Sequence, residues 1–135
     1  MSVDKLFDIA GSAMSAQSKR LNTTASNLAN ANSVAGSPDK AYRALHPVFR
    51  ADPMGANGAA EGVRVEGLVR SQETPRAMHM PEHPDADADG NVFASNVNVV
   101  EEMVDMISAS RAYQNSVEVA QVSKDLMMRT LKLGQ

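Results

Sequence analysis

The sequence predicts an α+β chain, mainly α, in which long N- and C-terminal helices pair as a coiled-coil-like hairpin around a small β-rich insert. Three observations carry this expectation. All six prolines and six of the eight glycines lie between Ser33 and Asn98, which leaves Val3–Ala31 and Val99–Lys132 to run as long helices. Both flanks repeat apolar residues at alternating spacings of three and four. The segment between them alternates apolar and polar residues over short runs near glycine. Residues 1–32 and 97–135 are therefore expected to form one helical assembly unit, with 33–96 as the insert.

In the first flank, Phe7, Ala10, Met14, Gln17, Leu21, Thr24, Leu28 and Ala31 form one stripe, on a helix about 44 Å long at 1.5 Å per residue. Its other face is unusual. Ten of the 22 residues from Gly11 to Asn32 are Ser, Thr or Asn, and only Lys19 and Arg20 are charged. Such side chains compete for backbone hydrogen bonds and disfavour helix, whereas a solvated face normally carries Glu and Lys. One reading is a marginal helix that frays. The other is a helix whose small polar face lets further helices approach closely, folded fully only when neighbours cover it.

The insert spans 66 residues counted from Ser33 to Asn98, too long for a structureless loop in a compact fold. Val63–Val69 reads as a strand beside Gly62, and Tyr42–Phe49 as a weaker one that Pro47 confines to an edge. Met78–Met80 and Asn91–Phe93 are candidate short strands, and Ala51–Gly62 reads as a mobile loop. Residues 51–96 carry a formal charge of −5, which marks the insert as the outward, solvated part.

The second flank carries the stripe Val99, Met103, Met106, Ser110, Tyr113, Val117, Ala120, Lys124, Met127 and Leu131. A second row of Val100, Val104, Ile107, Val119, Val122, Leu126 and Leu133 widens the apolar face, so this helix is expected to touch more than one neighbour. Asn98 can cap its first turn, with Glu101 completing a capping-box-like pair. Glu101, Glu102 and Asp105 suit the positive end of the helix dipole, Arg129 and Lys132 the negative end, and Gly134 the C′ position.

Composition narrows the function. Alanine supplies 20 of the 58 hydrophobic residues in this 135-residue chain, while Leu, Ile, Val and Phe together number 27, near the lower edge for a self-sufficient core. With no Trp, three Phe and two Tyr, packing completed against other chains is expected rather than a compact enzyme. A net charge of −3 with no basic cluster argues against nucleic acid. The absence of cysteine excludes thiol catalysis, disulfides and thiolate metal sites. No apolar run reaches the ~20 residues of a membrane span, and Asp8 interrupts the stretch that a cleavable secretory signal would need.

Two local patterns resemble metal sites. Asp85-Ala-Asp87-Ala-Asp89-Gly90 matches the first half of an EF-hand loop, but its twelfth position is Asn96 rather than a bidentate Glu, and Pro81 and Pro84 forbid the entering helix. An Asp-rich turn with Gly90 at positive φ is the structural reading. His79 and His83 have the spacing of a helical ligand pair, yet Pro81 lies between them. No cofactor and no metal is expected. Met14, Met103, Met106 and Met127 lie on the stripes, where adaptable side chains suit core packing or variable neighbours.

The two ends carry a resemblance. Ala25-Ser-Asn-Leu-Ala-Asn-Ala-Asn32, followed by Ala41-Tyr42-Arg43, resembles the N-terminal signature of the bacterial flagellar rod, hook and axial proteins. Glu102-Met-Val-Asp-Met-Ile-Ser-Ala-Ser-Arg-Ala-Tyr113 and the tail Met127–Gln135 are similar to their C-terminal signature. Ser33-Val-Ala-Gly36 departs from the Thr-Pro-Gly often found there. The resemblance implies a non-catalytic subunit that leaves the cytoplasm through the flagellar type III export apparatus without a cleaved signal. It implies helical stacking with copies of itself and other rod proteins, next to the export-gate and basal-body adaptor region, into a hollow periplasm-spanning rod that transmits torque. Subunit packing is then expected at Phe7, Met14, Leu21, Asn27, Leu28 and Asn30 on the first helix. On the second it is expected at Met103, Met106, Ser110, Tyr113, Val117, Met127 and Leu131. The competing readings are a soluble helical-hairpin adaptor and a calcium-responsive binding module.

Overall fold

The structure, a computed structural model, describes residues 3–54 and 60–134. In chain order it contains α1 (Val3–Ala29), β1 (Val34–Ala35), β2 (Leu45–Met54), β3 (Ala60–Arg70), β4 (Arg76–His79), β5 (Asn91–Ala94) and α2 (Val99–Leu133). The proline-free flanks are the helices, as expected, and all six prolines fall between them.

The helix ends follow local chemistry. At the start of α2 the Asn98 side chain accepts from the backbone N–H of Val100 at 3.1 Å and Glu101 at 3.4 Å. Past the end of α1, Ser33 ties back to the Asn30 carbonyl through its hydroxyl at 2.7 Å and its N–H at 3.1 Å. Gly134, expected at C′, is instead the C-cap of α2 at φ −90°, its N–H donating to the Thr130 carbonyl.

β2 and β3 form a long antiparallel two-stranded ribbon, with a register shift between Val48 and Phe49. Both strands are edges, which accommodates Pro47 and Pro53 in β2. The expected loop at Ala51–Gly62 is corrected here. Ala51–Met54 pair with Ala60–Val63 as strand, and residues 55–59 lie outside the described residues. Ala51–Met54 alternate exposed and half-buried, but the half-buried positions are Asp52 and Met54, so no period-2 alternation of apolar residues marks the strand. The other three strands form an antiparallel sheet of order β1-β5-β4, where β5 is central and alternates half-buried and buried residues.

Helix α1 is the central element. Its C-terminal part meets the start of α2: Asn27 bonds Glu102 and Arg20 pairs with Asp105, an antiparallel sense. On another side α1 packs against β2 and β3. Among the described residues, no element other than α1 packs against α2, and none other packs against the β2–β3 ribbon. A second helix therefore does not act alone on α1, and neighbouring subunits are not the only means of covering its second face. A strip of Ser15, Ser18, Asn22, Ala25, Ser26 and Ala29 still faces solvent.

The core is built of small residues. Its buried apolar members are Ala10, Ala16, Ala41, Ala44, Val92, Ala94, Ala109 and Ala120. Small side chains on facing helices permit close approach of the two backbones.

Candidate functional site

Two features organise the helix pair: a polar hub at its closed end and an open apolar face along α2.

The hub is Asn27, 1% exposed, on the last turns of α1. Its Nδ2 donates to the Leu45 carbonyl at 2.8 Å and to Glu102 Oε1 at 3.0 Å. Its Oδ1 accepts from the Leu45 N–H at 3.0 Å and from the Tyr42 hydroxyl at 2.9 Å. Two donors and two acceptor sites are the full capacity of an amide side chain, so the burial costs little. One residue thus joins α1, the start of β2, and α2. Asn96 makes a second polar tie: its Oδ1 accepts from the Ala44 N–H at 2.7 Å, and its Nδ2 donates to the Glu73 carbonyl at 2.9 Å. Arg20 and Asp105 add a partly exposed ion pair at 2.8 Å, of modest energy for that reason.

Along α2 the buried positions are Glu102, Ala109, Ala120 and Ser123, with Met106 and Ser116 half-buried among them. These recur at helical spacing on one face, and that face meets α1. The large apolar residues lie elsewhere. Of the nineteen exposed large hydrophobics among the described residues, twelve are on α2, including Val100 at 69%, Val104 at 60%, Ile107 at 56% and Val122 at 58%. The row read as widening the apolar face is therefore open to solvent in the lone chain.

The expected packing residues divide accordingly. Asn27 is buried. Met14, Leu21, Leu28, Asn30, Met106, Ser110, Val117 and Met127 are half-buried. Phe7 is 48% exposed, Met103 54%, Tyr113 37% and Leu131 63%. The α2 stripe expected from the sequence is thus offset from the seam with α1 toward the open face. Small residues take most inner positions of α2, with Met106 half-buried among them, while Met103, Tyr113 and Leu131 lie to the side. Sequence reasoning read Glu102 and Asp105 as helix-dipole residues within the C-terminal signature and missed their partners Asn27 and Arg20. It read Tyr42 only as part of a signature and as the start of a weak strand, not as a partner of Asn27. The available signal was an acidic residue on the small-residue face of α2, which in a seam demands a donor opposite it.

In the insert, Asp87 Oδ1 accepts from the N–H groups of Asp89 at 2.9 Å and Asn91 at 2.8 Å, and Gly90 has φ +76°. This is the Asp-rich turn leading into β5. His79 Nδ1 lies 3.2 Å from Asn91 Oδ1 across the β4–β5 pair, whereas His83 Nδ1 accepts from the Asp85 N–H at 3.1 Å in the following turn, so the two imidazoles have separate partners. Among the described residues, no group of three His, Cys, Asp or Glu side chains converges to hold a metal ion. No described helix is long and apolar enough to cross a membrane.

Comparison with known proteins matches this layout. The family model described as flagella basal body rod protein matches residues 7–36. The model for the C-terminal part of the flagellar basal body rod FlgEFG proteins matches residues 88–133. Full-length relatives agree: the flagellar basal-body rod protein FlgC of Salmonella typhimurium is 49% identical over 135 residues, with all of both chains covered. The FlgC proteins of Escherichia coli O157:H7 and Yersinia enterocolitica are each 50% identical, over 136 and 137 residues, again covering both chains completely. The chain belongs to the flagellar basal-body rod family.

It is a structural rod protein of a non-enzymatic family. The two matched segments of the rod family cover most of α1 and all of β5 and α2. Asn27 and Glu102, which meet across the seam, lie one in each matched segment, while Tyr42 and the β2–β3 ribbon lie between them.

Proposed function

We propose that this chain is a proximal-rod subunit that polymerises helically, through its paired terminal helices, into the hollow, torque-transmitting shaft of the flagellar basal body. The supporting observation is the division of labour on α2, where small residues meet α1 and the large apolar residues stay in water. A face of that kind is characteristic of a surface completed by another chain. In this reading residues 1–32 with 97–135 are the assembly unit, paired in a coiled-coil-like manner, and 33–96 form the outward insert. Phe7, Met103, Tyr113 and Leu131 pack between subunits, together with the half-buried rows beside them. The partners are copies of this chain, other rod proteins and the export-gate or basal-body adaptor region. The chain reaches the periplasm through the flagellar type III apparatus without a cleaved signal.

The test is complementation of a strain lacking this protein with the Val104→Asp/Ile107→Asp double variant. The expected outcome is a soluble, helical subunit, loss of motility, and no rod in isolated basal bodies. Normal motility with that variant, confirmed as expressed, would remove the open face from the assembly surface.

A further inference from the structure

We propose that the β2–β3 ribbon is an intramolecular strap that holds the middle of α1 helical in the lone subunit, before any neighbour covers its outer face. Helix α1 needs such help. Its Ser/Thr/Asn content lowers intrinsic helicity, and its solvent strip of Ser15, Ser18, Asn22 and Ser26 offers no charged pairs to offset that.

The strap is fastened at two points. One is Asn27, whose amide grips both backbone groups of Leu45 at the start of β2. The other is Ser12, whose hydroxyl accepts from the Val63 N–H of β3 at 3.1 Å while donating to the Ile9 carbonyl at 2.7 Å. The two fasteners match in length. Ser12 to Asn27 is 15 residues of helix, about 22 Å at 1.5 Å per residue. Leu45 to Ala51, the residue paired with Val63, is six residues of strand, about 20 Å. Between them, Ala16 and Thr23 continue the helix face that carries Ser12 and Asn27, and both are buried. These small side chains let a ribbon lie close. At the far end the approach is close: a Cβ placed on Gly62 would stand 2.7 Å from Ser12 Oγ of α1, and 2.5 Å from Met54 Cε of the ribbon itself. Among the described residues the ribbon packs against no helix except α1, and its base is tied besides through Ala44 to Asn96 and Ser71.

The assignment concerns the isolated subunit and stands apart from the rod reading. The test is amide hydrogen exchange of the full chain as a verified monomer, on the wild type and on Gly62→Val, with Ser12→Ala as the milder variant. In the wild type, protection should step upward from Val3–Ile9 to Ser12–Asn27. In Gly62→Val, exchange in Ser12–Asn27 should quicken by about tenfold or more, the scale of losing a buried polar contact. Ser12→Ala should give a smaller change in the same segment. The β1-β5-β4 sheet should keep its protection in both. Three results would overturn the strap: no step in the wild type, a step that survives both substitutions, or equal loss of protection in the β1-β5-β4 sheet.

Discussion

Replacing Asn27 by leucine would keep its bulk and take a partner from both backbone groups of Leu45, one oxygen of Glu102 and the Tyr42 hydroxyl, which alone keeps Ser26 Oγ at 3.4 Å. Each buried group left unpaired costs about 1–3 kcal/mol, so Asn27→Leu should lower the unfolding free energy by about 3 kcal/mol or more in urea titration. Tyr42→Phe removes one donor and leaves Oδ1 its second partner, so about 1 kcal/mol is expected in the same measurement. Gln17 gives the opposite case. Its Oε1 is buried without a hydrogen-bond partner, and Gln17→Met should raise the urea midpoint, by up to about 1 kcal/mol of stability. In the insert, Asp87 already spends one carboxylate oxygen on two backbone N–H groups. Calorimetric titration with calcium should therefore show no saturable binding below about 10⁻⁴ M, the weak end of genuine loop sites.

Between elements, the seam and the open face should respond differently to charge. Leu28→Asp and Met106→Asp place a carboxylate on half-buried positions of α1 and α2, and both should abolish assembly, with loss of subunit stability as well. The open-face substitutions should abolish assembly alone, and His79→Ala and Asp87→Ala should leave motility intact. Urea titration beside a motility assay separates these outcomes. Much of this layout was legible beforehand because it is written in local pattern. Proline placement bounded both helices, Asn98 announced its cap, and Val63–Val69 announced β3. What was illegible depends on pairings across distance. Nothing near Glu102 in the chain names Asn27, 75 residues away, as its partner. The apolar stripe of α2 was visible, but periodicity only says that large side chains share a face. It does not say whether that face meets α1 or a different chain, and here alanine and serine take the inner position. The ribbon beyond Phe49 escaped notice because its half-buried positions hold Asp52 and Met54, one charged and one apolar, so burial alternates there while hydrophobicity does not.

For the whole molecule, α2 has 35 residues against 27 in α1, and the pairing through Asn27–Glu102 and Arg20–Asp105 places that excess at the C-terminal end. Residues 128–134 are all exposed. Removing residues 129–135 should shift the subunit's urea midpoint by less than about 0.5 kcal/mol of stability, the scale of ordinary surface changes. The same truncation should abolish rod formation in complementation. The antiparallel pairing also fixes where a reporter can be attached. The Val3 end of α1 and the Leu133 end of α2 point the same way, so a fluorescent protein fused at either terminus would crowd the same end of the helix pair. A peptide tag inserted in the acidic turn at Pro84–Asp89 would sit at the opposite end, on a sheet that packs against neither helix, and is the site where a working subunit could be made visible.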